Sequence, residues 1–189
     1  MADLLADNGE PVDRWDTAAQ LGALAQAGQI NAARLAALGR RCAGAAVALA
    51  HLAADRTIVS SVLTGNIEPN ARVKLAAFGL DHLLDFRAGA FGLASLTRAD
   101  LVPVAQAAAN TVHGFDPVTN PTVLIGDTAR DVRAGLDGGA RVLAVASGSA
   151  SVDELLAAGA HEAIPGLTDL DRFLAALDRA RSLGPVPAP

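Results

Sequence analysis

This chain lacks the residues that several classes of protein depend on. Of its 189 residues only 3% are aromatic, none is tyrosine and one is cysteine. A single cysteine excludes an internal disulfide and a cysteine-based zinc site, and it suits a reducing compartment. Cys42 itself is predicted to be a small buried residue and not a nucleophile. No apolar run approaches the ~18 residues of a membrane-spanning helix.

The chain also lacks a large excess or cluster of charges of one sign. The net charge is −5, and no block of like charges occurs. This excludes the basic footprint of a nucleic-acid-binding protein. The first residues, Met1 to Asp7, lack the basic start of a secretory signal. We therefore predict a cytoplasmic protein with no nucleic-acid and no membrane partner, in which any anionic ligand meets a local basic group.

The hydrophobic residues, 51% of the chain, are arranged in two different patterns. Residues 1 to about 40 carry leucines at helical spacing, with breaks expected at Gly9–Pro11 and near Gly28. From Thr57–Leu63 onward, β-branched runs alternate with helical segments. Such alternation predicts an α/β fold, a parallel sheet covered by helices. The further strands are predicted at Leu84–Ala88, Thr122–Ile125, Arg141–Ala146 and Ala163–Ile164.

The most informative segment surrounds Asp127. An apolar run ends at Gly126, and Asp127 and Asp131 follow where a helix begins. Ligands of open α/β sheets bind at the carboxyl ends of the strands, and two carboxylates there can hold Mg²⁺. The alternative is structural: Thr128 and Asp131 fit a capping box, and Asp127 favours the positive end of the helix. These residues alone leave both interpretations open.

Two other segments have similar chemistry. Thr64-Gly65-Asn66 follows the Thr57–Leu63 strand and could bind an anion through a hydroxyl, an open backbone N–H and an amide. It could equally be a turn in which Asn66 caps the next helix. Arg98 is predicted in the first turn of a helix that runs to about Val112. The interaction of a cation there with the helix dipole is unfavourable by ~0.3–1 kcal/mol. A bound anion or the carboxylate of Asp100 would offset this cost.

Taken in order, these motifs resemble those of the haloacid dehalogenase-like hydrolase superfamily. The segment from Ser61 to Leu75, SVLTGNIEPNARVKL, is similar to its phosphoglycolate phosphatase-like branch. The resemblance extends from about Ala43 to Ala176. It implies a Rossmann-like core with a helical cap, and hydrolysis of a small phosphomonoester through an aspartyl-phosphate with Mg²⁺.

The resemblance also implies a role for each motif. Thr64, with Gly65 and Asn66, would bind the phosphoryl group of the substrate. Arg98 would replace the more usual lysine and stabilise negative charge. Asp127 would be a ligand of Mg²⁺, with Asp131 as a second ligand or its neighbour.

One family motif is missing from these residues. The nucleophile of the family lies in an Asp-x-Asp-Gly-Thr motif after the central strand. The segment Asp7-Asn8-Gly9 resembles this motif only weakly. We therefore predict a remnant cap over residues 1–40, a core lacking its first strand over 41–182 and a disordered tail over 183–189. The chain is expected to be inactive alone, either as a truncated product or as a non-catalytic module that binds a phosphorylated ligand or a protein.

In the family, the first strand lies between the strands that end at Leu63 and Ile125. Without it, those two strands either pair directly or leave a gap. An open gap exposes unpaired strand edges, and these predict self-association.

Overall fold

A computed structural model describes residues 17–95 and 97–183 of the chain. These residues form seven α-helices and five short strands. The helices are α1 (Thr17–Leu38), α2 (Ala45–Ala54), α3 (Glu68–Ala76), α4 (Leu101–His113), α5 (Ala129–Asp137), α6 (Val152–Ala157) and α7 (Leu170–Ser182). The strands are β1 (Leu63–Thr64), β2 (Ala90–Phe91), β3 (Val123–Gly126), β4 (Arg141–Val145) and β5 (Glu162–Ile164).

The strands form two separate parallel sheets, and helices flank both. One sheet contains β1 and β2, and the other has the order β3-β4-β5. All three strand pairs are parallel, as expected when each strand is followed by a helix that returns the chain to the same edge. The α/β class and Rossmann-like layout predicted from the sequence are confirmed.

Some predicted elements differ in detail. The segment Leu84–Ala88 is not a strand, because Phe86–Ala88 forms a 3₁₀ turn in which the Asp85 carboxylate accepts the Arg87 N–H. The strand follows at Ala90–Phe91. Of the predicted strand at Thr57–Leu63, only Leu63 pairs, together with Thr64. Backbone bonds to the neighbouring segment persist before it, since the Ser60 carbonyl accepts the Asp85 N–H at 2.8 Å and the Val62 carbonyl accepts the Ala90 N–H at 2.9 Å.

Helix α1 continues through Gly28, so the predicted break there is wrong. Gly28 serves a different purpose, because a Cβ at this position would lie 2.2 Å from the Asn70 side-chain oxygen on α3. The Asn70 amide also donates to the Leu24 carbonyl at 3.1 Å. Close approach of α1 to α3 therefore requires glycine at 28. The predicted break at Gly9–Pro11 lies outside the described residues.

The core is concentrated around β4. Every residue of β4 is buried, which is typical of a parallel strand covered by helices on both faces. On one face, α2 and α7 contribute Ala48, Leu52, Phe173 and Leu177. On the other face, Val132 of α5 and Leu155 of α6 pack against Val142 and Ala144.

The two sheets do not meet. Among the described residues no strand pairing joins β1 to β3, and an apolar cavity of about 560 Å³ lies between them. Both Thr57–Leu63 and Pro121–Ile125 line this cavity. We call it the interstrand cavity. Of the two outcomes expected for these strands, direct pairing is not observed and the gap is open.

Two further predictions concern the burial of Cys42 and the absence of a membrane-spanning helix. Cys42 is exposed, so its predicted burial is wrong: it lies in the exposed link between α1 and α2, away from the core. Within residues 17–95 and 97–183, no helix is long and apolar enough to cross a bilayer.

Candidate functional site

The predicted site residues lie where strands end and helices begin. Thr64 ends β1, and Asp127 follows β3 directly. Arg98 precedes α4 instead of lying in its first turn, because the helix begins at Leu101. An ion pair between Arg98 and Asp131 joins the segment after β2 to the segment after β3. The carboxyl ends of β2 and β3 therefore face the same side of the molecule.

Asp131 has partners for both of its carboxylate oxygens. Oδ1 accepts from the Arg98 guanidinium, and Oδ2 accepts from the Thr128 hydroxyl at 2.7 Å. The Thr128 hydroxyl oxygen in turn accepts the Asp131 N–H at 3.2 Å, which caps α5. The side chain of Asp131 is 14% exposed. The capping interpretation thus holds for Thr128, while Asp131 has an additional partner 33 residues away in sequence.

Arg98 is therefore not a solvated cation balanced by Asp100. The carboxylate of Asp100 instead accepts from the hydroxyls of Ser95 and Thr97. These hydrogen bonds lower the pKa of Asp100, with Thr97 contributing most. The charge of Arg98 is directed toward the β3 side of the sheet edge.

The carboxylate of Asp127 differs from that of Asp131 in having no partner. Within the described ranges it forms no hydrogen bond and no ion pair. It is half-buried and lies against Gly148, where a Cβ would be 2.9 Å from its Oδ2. A side chain at 148 would occupy the space of this carboxylate, so glycine there keeps Asp127 accessible.

Thr64-Gly65-Asn66 forms a compact turn at the end of β1. The Thr64 hydroxyl oxygen accepts the Asn66 backbone N–H at 3.1 Å and the Asn66 side-chain amide at 2.8 Å. This is the local pattern of a Thr turn. Asn66 does not cap α3, whose N-cap is Ile67. The Thr64 hydroxyl proton is not used in these bonds and can be donated to an anion.

Two features of this turn had no role in the sequence-based interpretation. The Lys74 ammonium donates to the Asn66 side-chain oxygen at 2.9 Å, which places a cation beside the turn. Gly92 approaches the turn closely, since a Cβ there would lie 2.1 Å from the Gly65 carbonyl oxygen. Lys74 lies on α3, eight residues after Asn66 in the sequence. This separation of about two helical turns was the available signal.

A second cavity of about 560 Å³ opens beside Asp127. Its lining includes Arg40, Arg41, Ser147 and Thr168. Arg41 donates to the Phe78 carbonyl at 3.2 Å. Sequence reasoning assigned no role to this arginine pair, although two adjacent arginines before a glycine-flanked helix are a visible signal.

The residues at this edge fit Mg²⁺ in part. In the described segments, no group of three His, Cys, Asp or Glu side chains is close enough to hold a metal ion. Mg²⁺ is, however, often bound by one or two carboxylates together with substrate phosphates and water. Asp127 meets this requirement because its carboxylate is free. Asp131 meets it less well, because Arg98 and Thr128 already occupy both of its oxygens.

Comparison with known proteins gives one match. Residues 100–170 match the family described as HAD-hydrolase-like. The matched region contains α4 and β3 to β5, and therefore Asp127 and Asp131, but neither Thr64 nor Arg98. No curated protein matches the chain significantly. Over residues 100–170, the chain is thus similar to hydrolases of the haloacid dehalogenase superfamily.

Proposed function

We propose that this chain carries the phosphate-binding and metal-binding part of a haloacid dehalogenase-like phosphatase. In this proposal the substrate is a small phosphomonoester such as phosphoglycolate. The observation that carries the proposal is the Arg98–Asp131 ion pair, which brings a cation from the β2 side to the start of α5. A phosphate bound there would be next to a guanidinium, the side chain best suited to phosphate oxygens.

Each remaining residue has a defined task in this proposal. Thr64 donates its hydroxyl proton to a phosphate oxygen, and the exposed Gly65 leaves its backbone N–H open to the ligand. Asn66 holds Thr64 in place through two hydrogen bonds. Asp127, with Asp131 beside it, would hold Mg²⁺, which supplies charge neutralisation at the phosphate when bound.

We further propose that these 189 residues hydrolyse no phosphomonoester by themselves. This proposal is supported by the sequence, in which no Asp-x-Asp-Gly-Thr motif supplies the nucleophile that the family uses. Purified chain should give no release of phosphate from an aryl phosphate or from phosphoglycolate, with or without Mg²⁺. Metal-dependent turnover that Asp127→Ala abolishes would contradict this and would direct attention to Asp7.

Binding of inorganic phosphate tests the site separately from catalysis. Calorimetry should show phosphate binding that Thr64→Val and Arg98→Gln each weaken by about tenfold, the loss of one charge-assisted or neutral hydrogen bond of ~1.4 kcal/mol. Thr111→Val and Arg56→Gln are matched controls, because both residues are exposed and neither lies at the carboxyl end of a strand. Equal weakening by the controls, or no binding at all, would reject the phosphate site.

A non-catalytic phosphate-binding or protein-binding module remains the alternative use of the same fold. It predicts phosphate binding without dependence on Mg²⁺, since no metal step would be needed. Repeating the titration with Mg²⁺ and with Asp127→Asn separates the two. A phosphate affinity that rises with Mg²⁺ only when Asp127 is present favours the phosphatase.

A further inference from the structure

We propose that Arg40 and Arg41 bind the phosphate group of a phosphorylated small molecule, at a site separate from the position assigned to Thr64 and Arg98. The site is the cavity of about 560 Å³ that opens beside Asp127, which we call the arginine cavity. Neither Thr64 nor Arg98 lines it. The inference does not depend on the proposed phosphatase function, because the phosphate-binding residues are different.

The arginine cavity lies where all three strands of the larger sheet end. Asp127 follows β3, Ser147 comes two residues after β4, and the segment 165–168 follows β5; all of them line the cavity. The link between α1 and α2 contributes residues 40–43. Open α/β sheets bind their ligands at the carboxyl ends of the strands. The cavity therefore occupies the edge of this sheet at which a ligand is expected.

The link that carries the two arginines is packed against neighbouring segments on both sides. Gly44 has a φ of 83°, and a Cβ at this position would lie 1.9 Å from the Leu167 carbonyl oxygen in the loop after β5. Arg41 donates to the Phe78 carbonyl at 3.2 Å. These contacts position the link beside the ends of the strands.

The lining of the arginine cavity is positively charged, although the net charge of the whole chain is −5. Of the described residues that line it, three are charged, namely Arg40, Arg41 and Asp127. Two cations and one carboxylate give a sum of +1. No ion pair joins Asp127 to either arginine within residues 17–95 and 97–183. Since the positive charges are not neutralised by a neighbour, the cavity attracts an anion.

The unused hydrogen-bond donors favour a phosphate group over a carboxylate. In the part of the chain that the structure describes, the Arg40 guanidinium and the hydroxyls of Ser147 and Thr168 have no partner. Arg41 uses one N–H for the Phe78 carbonyl and keeps its others. A guanidinium binds phosphate oxygens through two parallel N–H donors. The two positive charges match the charge of a phosphate monoester, which is about −1.5 to −2 at pH 7, whereas a carboxylate would balance only one of them.

The size of the cavity indicates a ligand larger than a phosphate ion. Its volume of about 560 Å³ falls within the ~300–1,000 Å³ that is typical of small-molecule sites. Ala43, Pro165 and Leu167 add apolar surface to the lining. The carbon part of a phosphorylated small molecule would lie against these residues.

Calorimetry on a variant of the full chain tests the arginine cavity by itself. The variant combines Thr64→Val with Arg98→Gln, which removes the phosphate-binding groups of the proposed function. Phenyl phosphate should bind this double variant saturably at pH 7.5. Benzoate should bind at least about tenfold more weakly, because its carboxylate carries less charge. If the proposed function fails, the unmodified chain and the double variant bind phenyl phosphate equally well, and the arginine site is still supported.

Single substitutions in the double variant test the location. Arg40→Gln should weaken the binding of phenyl phosphate by at least about tenfold, through the loss of a charge-assisted hydrogen bond. Arg34→Gln is the matched control, because Arg34 is an exposed residue of α1 that does not line the cavity. Arg41→Gln should act like Arg40→Gln. Circular dichroism establishes that each variant folds, and if Arg41→Gln does not fold, Arg40→Gln still decides the question.

Four results would overturn the proposal. The first is that the double variant does not bind phenyl phosphate. The second is equal weakening by Arg40→Gln and Arg34→Gln, which would indicate general attraction to exposed arginines. The third is benzoate binding as tight as that of phenyl phosphate, which would make the site one for carboxylates. The fourth is binding of inorganic phosphate without binding of phenyl phosphate, which would exclude a phosphorylated small molecule.

Discussion

At the scale of single residues, His161 shows how a folded environment changes an ordinary side chain. Its Nδ1 accepts the Val142 backbone N–H at 3.1 Å, and its Nε2 lies 3.0 Å from the Arg141 guanidinium. Burial lowers the pKa of His161 below 6.5, and the nearby charge of Arg141 lowers it further. Protonation at Nδ1 would break the bond to β4 and place a second cation beside Arg141.

This arrangement predicts a pH dependence of stability with a definite sign. Because the pKa is lower in the folded than in the unfolded state, unfolded chains bind more protons as the pH falls. The contribution of His161 is therefore complete above about pH 6.5 and is lost below it. Urea unfolding at pH 7.5 and pH 5 should show a smaller difference for His161→Gln than for the unmodified chain. The exposed His51, changed to Gln as a control, should leave the difference unchanged; an unaltered pH dependence in His161→Gln would contradict the assignment.

At the scale of elements, the two glycines of α1 separate helix propensity from packing. A Cβ at Gly22 would meet nothing within 4 Å, whereas a Cβ at Gly28 would collide with Asn70. Gly22→Ala should stabilise the chain by ~0.5–1 kcal/mol, because alanine is the better helix former. Gly28→Ala should instead destabilise it, since α1 must move away from α3. Thermal unfolding of both variants measures the difference, and equal stabilisation by both would show that α1 does not pack as described.

At the scale of the whole molecule, the open interstrand cavity determines the expected behaviour in solution. A sheet divided by an apolar cavity loses ladder bonds and buried area, while the entropy cost of ordering the chain is unchanged. We expect a broad thermal transition below ~45 °C. We also expect self-association through the exposed edges of β1 and β3, because their unpaired backbone groups can pair with another copy of the chain.

Sedimentation velocity at increasing concentration tests the self-association. Ile125→Lys should reduce it, because a charged side chain beside an open edge opposes further strand pairing. Ile30→Lys is the matched control, since Ile30 is 73% exposed on α1. A monodisperse monomer with a sharp transition at high temperature would show instead that the divided sheet is a stable arrangement.

Features that depend on neighbouring residues were determined by the sequence alone. The α/β alternation, the position of Asp127 after β3, and the capping of α5 by Thr128 all follow from local patterns. The turn at Thr64 is also local, although the predicted capping of α3 by Asn66 is not observed. Their hydrogen bonds join residues two or three apart, so the interaction partner is already present in the segment. Binding by these residues remains a proposal, because local geometry does not identify a ligand.

Features that depend on distant partners were decided only by the tertiary structure. Asp131 binds Arg98 from another loop, and Gly28 is required by Asn70 of a different helix. The short β2 appears after a 3₁₀ turn that the apolar pattern of Leu84–Ala88 did not indicate. That β1 and β3 remain in separate sheets was likewise visible only in the structure. The physical reason is the same in all of these cases. Each outcome depends on the relative stability of contacts between residues that are far apart in the chain. The spacing of apolar residues in the sequence does not indicate which of these contacts is the more stable.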